Sequence, residues 1–179
     1  MERQSKVIML EQFNYINTFI FDVDGVLTDG SLLIMPNGLM ARRMNIKDGY
    51  ALQLAIKKGY QVIVISGGNS PEVKDRLNKL GVHTVHMQVT DKLGLLQSIL
   101  NELNTAQNTC LFMGDDIPDL ECMKWVGLPV CPADAVSEIK EISLYISAIS
   151  GGMGCARDVI EKVMKLRGDW NEDFTIRAQ

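Results

Sequence analysis

Short apolar runs rich in β-branched and aromatic residues recur along the chain: TFIFDV (18–23), QVIVIS (61–66), HTVHM (83–87), TCLFM (109–113), GLPVC (127–131) and LYISA (144–148). Most are separated by stretches with a 3.6-residue apolar period, so strands alternate with helices, the order expected of a parallel sheet covered on both faces. In DGYALQLAIKKGY (48–60), Leu52, Leu54, Ala55 and Ile56 form an inward stripe, Lys57 and Lys58 fill the last turn and Gly59 stops the helix. A second helix is predicted from Pro71 to Leu80, with Ser70 as N-cap and Gly81 at its end. A third runs from Asp91 to about Leu103, capped by Thr90 and expected to be buried through Leu93, Leu96, Ile99, Leu100 and Leu103.

One interval interrupts the alternation. GSLLIMPNGLMARRMNI (30–46) holds two β-compatible runs around PNG, the turn chemistry of a hairpin. A hairpin over about 31–46 is too small to be a lid domain. The fold class is therefore α/β, a three-layer, Rossmann-like parallel sheet carrying a β-hairpin flap. The 179 residues suffice for one domain with a sizeable core, and only the polar tail at 167–179 is expected to be loosely held.

Composition narrows the function classes. A net charge of -4 gives no general attraction to nucleic acid or to an anionic membrane. No apolar run approaches the roughly 20 residues of a membrane span, and the first residues lack a signal-peptide core, which points to a cytoplasmic protein. Cys110, Cys122, Cys131 and Cys155 form no CxxC pair and are expected to be reduced and buried. His83 and His86 fit polar strand positions better than metal ligation, since no carboxylate adjoins them.

Chemistry concentrates where strands end. In a doubly wound sheet the ligand lies beyond the carboxyl ends of the strands. The residues there are Asp22 and Asp24, Ser66, and Gly114, Asp115 and Asp116 with Asp119 a turn later, while Lys92 opens the helix after the third strand. Paired aspartates in DVDG could be simple Asx turns, and GDDIPD could hold one helix cap, but a cap needs one carboxylate and these two clusters hold five. Their repulsion calls for a cation or a shared proton. Lys92 opposes the macrodipole of its own helix unless an anion faces it; the plainer alternative is a solvated surface lysine. Ser66, with Gly67 and Gly68, is ordinary loop chemistry taken alone, but in this company its hydroxyl suits a phosphate oxygen. The parts suit phosphoryl transfer: Mg²⁺ and a lysine neutralise the phosphate, Asp22 attacks phosphorus, and Asp24 acts as acid and base. Gly25 lets the chain turn away close to the phosphate.

DVDGVLT, Ser66, Lys92 and GDDIPD, in this order, resemble the four motifs of the haloacid dehalogenase (HAD) superfamily, phosphatase branch, over about 18–150. The resemblance implies an aspartyl-phosphate on Asp22 and Mg²⁺ held by Asp22, the Asp24 backbone carbonyl and Asp115, with Asp116 and Asp119 in support. The hairpin in place of a cap, DGY (48–50) and GGMGCARD (151–158) look like the capless subgroup of 3-deoxy-D-manno-octulosonate 8-phosphate phosphatases. That likeness implies lipopolysaccharide precursor synthesis and a homotetramer in which a neighbour's hairpin and tail help enclose the site. It adds Thr28 and Asp48 to Ser66 and Gly67 as phosphate- or substrate-binding residues. It also makes GGMGCARD, with Arg157, an intersubunit candidate, against a plain Gly-rich turn. SGGN (66–69) departs from the common Thr-Gly-Arg and so loses a cation near the substrate; Arg76 and Lys79 are the replacements considered, against a solvated helix face. Two alternatives stay open: a phosphatase for a nine-carbon sialic-type sugar 9-phosphate, and a non-catalytic scaffold on the same fold.

Overall fold

The computed structural model describes residues 11–177. Six strands, β1 (Thr18–Phe21), β4 (Gln61–Ile65), β5 (Thr84–His86), β6 (Cys110–Met113), β7 (Leu128–Cys131) and β8 (Tyr145–Ile146), form one sheet in the order β5-β4-β1-β6-β7-β8, every neighbouring pair parallel. The helices are α1 (Ile46–Lys57), α2 (Pro71–Lys79), α3 (Lys92–Glu102), α4 (Leu120–Trp125), α5 (Ser137–Ile142) and α6 (Cys155–Leu166).

Period-two alternation sorts the strand side chains into two cores. Phe19, Phe21, Val62, Val64, Leu111 and Met113 pack with α1, α2 and α6, whereas Ile20, Ile63, Ile65, Cys110 and Phe112 pack with α3, α4 and α5. Both faces of the sheet are buried, which is why these strands read as continuous apolar runs. All four cysteines are buried and free, as expected.

Local chemistry sets the helix starts. Ser70 accepts from the Val73 N–H at 3.4 Å, the expected cap. One start differs from expectation. Asp91, not Thr90, caps α3 by accepting from the Gly94 N–H at 2.9 Å, because a carboxylate there also favours the helix dipole. Asn45 caps α1 through the Lys47 N–H at 2.9 Å, so Asp48 lies inside the helix rather than at its start.

The hairpin forms where PNG placed it. β2 (Leu33–Ile34) pairs antiparallel with β3 (Met40–Ala41), and Gly38 at φ 80° closes the turn. Its apolar residues are exposed, Leu33 by 65% and Ile34 by 73%. The tail, through Arg177, is docked and not loose. Trp170 and Ile176 pack against the α1/α6 core, Lys57 Nζ donates to Asp173 Oδ2 at 2.5 Å, and Gln53 donates to the Arg177 carbonyl at 3.0 Å. Composition understated these contacts because two apolar anchors, Trp170 and Ile176, interleave with the charges.

Candidate active site

Sheet order reverses at β1, whose neighbours β4 and β6 connect in opposite directions, and the crevice above that reversal is the cleft. The cleft, of about 510 Å³, is lined by Asp22, Asp24, Ser66, Gly67, Lys92, Asp115, Asp116 and Asp119 among others. Four separate connections deliver these groups to one place.

Lys92 is buried at the start of α3, and its Nζ donates to Asp22 Oδ1 at 2.9 Å and to Asp119 Oδ1 at 2.7 Å. The unfavourable end of the helix is thus answered by two anions. Burial lowers the Lys92 pKa, but the two carboxylates outweigh it and hold it above the ordinary lysine value. Burial and Asp119 push Asp22 up to about 7 against the pull of Lys92. Burial, Asp22 and Asp119 likewise push Asp115 up to about 7. One lysine does not neutralise this cluster.

The donor set fits a divalent cation. Asp22, Asp115 and Asp119 bring one carboxylate oxygen each within 4.8 Å of the others. Both oxygens of Asp119 are engaged, by Lys92 and by the Asp115 N–H at 3.2 Å, whereas Asp115 Oδ1 is buried with no hydrogen-bond partner. All-oxygen, anionic donors suit Mg²⁺, and a bound cation would return Asp22 and Asp115 to the ionised form. Asp116 caps the turn that follows, accepting from the Ile117 N–H at 2.8 Å.

The turn after β1 is shaped by contact. Gly25 has φ 88°, and a Cβ there would lie 2.0 Å from Asp115 Oδ2. From behind, Gly151 and Gly152 press on the same turn: a Cβ on Gly151 would fall 1.9 Å from the Gly25 carbonyl, and the Gly152 N–H donates to the Val26 carbonyl at 2.9 Å. GGMGCARD therefore braces this loop within its own chain. The Arg157 guanidinium lies over the Tyr50 and Trp170 rings at 5.6 and 5.4 Å.

Not every expected residue reaches the cleft. Thr28 is buried beneath it, its hydroxyl donating to Asp24 Oδ1 at 3.3 Å. Asp48 sits away from it, 3% exposed, accepting from the Arg157 N–H at 2.7 Å and so capping α6, whose own N-cap is Gly154. Burial pushes its carboxyl up to about 6 despite the Arg157 N–H. Arg76 lines a separate groove between hairpin and α2, and Lys79 is exposed beside Asp75 at 3.5 Å. A residue not anticipated, Arg42, reaches Asp24 instead: Nε to Oδ1 at 2.7 Å and Nη2 to Oδ2 at 3.1 Å. The Asp24 carboxylate is therefore held rather than free. The pair lies 18 positions apart with the hairpin between them, and the unequal burial of Arg42 and Arg43 is what distinguishes the two arginines.

Fold and site together define a haloacid dehalogenase-like hydrolase, and the family model of that description matches residues 84–154. The chain is 32% identical to the 3-deoxy-D-manno-octulosonate 8-phosphate phosphatase of Escherichia coli K12 over 88% of its own length and 84% of the relative's. It belongs to that phosphatase family. The crystal structure of the Yersinia pestis phosphatase covers 90% of this chain and 87% of its own at 29% identity and TM-score 0.88. That of the Moraxella catarrhalis phosphatase, in complex with magnesium, phosphate and a KDO molecule, covers 91% and 94% at 28% identity and TM-score 0.88.

Proposed function

We propose that the chain is a Mg²⁺-dependent phosphomonoesterase that hydrolyses 3-deoxy-D-manno-octulosonate 8-phosphate to the free sugar acid and phosphate. The observation that carries this reading is the buried Asp22–Lys92–Asp119 arrangement facing the unpartnered Asp115 oxygen at the carboxyl edge of the sheet.

Asp22 Oδ attacks phosphorus as the bond to the sugar oxygen breaks, forming an aspartyl-phosphate; Asp24 delivers a proton to the departing oxygen. Asp24 then takes a proton from water, which attacks phosphorus and releases phosphate and Asp22. Lys92 neutralises charge that develops on the phosphoryl oxygens, and the Ser66 hydroxyl and the Gly67 backbone cradle the group. Mg²⁺, held by Asp22, Asp115 and the Asp24 carbonyl, supplies Lewis-acid neutralisation of the phosphate. Asp119 holds Lys92, and Asp116 supports the loop. Thr28 and Asp48 act from below, through Asp24 and α6, rather than on the substrate.

The proposal places the enzyme in lipopolysaccharide precursor synthesis in the cytoplasm, in keeping with four free buried cysteines. It includes a homotetramer, supported by the apolar hairpin surface, with neighbouring hairpins helping to close the clefts. A scaffold has no use for so costly a buried charge cluster. Steady-state comparison of the eight-carbon 8-phosphate with a nine-carbon sialic-type 9-phosphate tests the substrate. A higher kcat/KM for the eight-carbon sugar is expected, and the reverse order overturns the assignment.

A further inference from the structure

The chain sends one of two adjacent hairpin arginines out of solvent. Arg43 is 72% exposed at its side chain and pairs with Asp29 at 2.6 Å, whereas the Arg42 side chain is only 5% exposed. Burying a guanidinium at the rim of a wet cleft is costly unless its donors are matched. Here each of the three nitrogens makes one hydrogen bond: Nε and Nη2 donate to the two oxygens of Asp24, and Nη1 donates to the Met40 carbonyl at 3.1 Å. All three nitrogens are committed inside the chain. Arg42 is thus poorly placed to grip a substrate and well placed to hold Asp24.

The space for this contact comes from a third segment. A Cβ on Gly68 would lie 2.8 Å from Asp24 Oδ2 and 3.2 Å from Arg42 Nη2. A side chain there would displace one partner or the other. The pair is also one of the ties, with Arg43–Asp29 and the Thr28–Met44 bridge, that join the hairpin, whose outer surface is exposed, to the chain after β1.

We propose that Arg42 is a positioning residue: from the hairpin, in the room left by Gly68, its two-point contact aims the Asp24 carboxylate at the leaving-group oxygen. This rests on the acid/base role given to Asp24 above. The fork matters because two parallel bonds fix both the rotation and the translation of a carboxylate, whereas a point charge fixes only its distance.

The discriminating measurement is leaving-group dependence with Mg²⁺ saturating. An alkyl sugar phosphate needs a proton on its departing oxygen; an aryl phosphate such as p-nitrophenyl phosphate departs without one. Arg42→Ala is expected to lower kcat/KM on the sugar phosphate by on the order of 10- to 100-fold, and on the aryl phosphate by less than about 5-fold. Arg42→Lys should recover part of the loss, and Gly68→Ala should reproduce the selective defect with Arg42 intact. Thermal melting checks that each variant is folded. An equal fall on both substrates, or no fall on either, overturns the positioning role. Wild-type protein inactive on both substrates overturns the phosphatase reading itself, a separate result.

Discussion

Asp22 and Asp24 are two residues apart, yet Asp22 faces Lys92 and Asp24 faces Arg42. The strand ends at Phe21, so alternation no longer governs where these side chains go, and each finds its own cation. The division predicts different phenotypes. Asp22→Asn removes the nucleophile and should lower kcat by about 10³-fold or more on every phosphomonoester, read in steady-state assays. Asp24→Asn should cost about 10²- to 10⁴-fold on alkyl phosphates and less on aryl phosphates. Gly25→Ala tests how closely the two acidic loops approach. Its Cβ would meet Asp115 Oδ2 at 2.0 Å in a backbone conformation that disfavours side chains, so stability should fall by about 1–3 kcal/mol in urea titrations, with weaker Mg²⁺ activation. That Asp22, Asp115 and Lys92 belong together was legible in the sequence, because carboxylates gathered at strand ends repel one another unless cations join them. Arg42 was not legible: nothing in ARRMN marks which arginine turns inward.

At the scale of elements, α6 begins with Gly154 and takes its cap from α1, through the buried Asp48. Burial raises the Asp48 pKa from 3.8 to about 6, so the folded state binds a proton more tightly than the unfolded chain. The associated stability is present below the unfolded pKa and is lost as pH rises through about 6, amounting to roughly 3 kcal/mol. Asp48→Asn keeps an acceptor for the Arg157 N–H without the charge. Denaturation midpoints of the variant, measured with Mg²⁺ present, should therefore lack the decline that wild type shows between about pH 4 and 6 from this group. Asp48→Ala loses the cap and should be less stable than wild type by about 1–2 kcal/mol near pH 4, but without an ionisable group it should also lack the decline towards pH 6. Strand and helix order was readable from periodicity alone. The role of Asp48 was not, because capping across elements leaves no local spacing in the sequence.

For the whole molecule, the proposed cation site and the hairpin surface set the expected behaviour. Chelation should abolish activity and lower the melting temperature, and Mg²⁺ at about 100 times its Kd should restore roughly 2.7 kcal/mol. If the hairpin joins subunits, Ile34→Glu should reduce the mass measured by light scattering while the monomer stays folded, because that side chain contributes nothing to either core. The sequence by itself determined the α/β class, the hairpin and the acidic and lysine set, since periodicity, turn chemistry and charge repulsion are local properties that need no partner to be read. Only the tertiary structure decided which long-range groups meet: Asp115 against Gly25, Gly151 behind the same turn, Arg42 over Gly68, Asp48 beneath α6, and the tail along α1. These contacts join residues far apart in the chain, and their strength comes from shape and burial created by packing, which no single segment encodes.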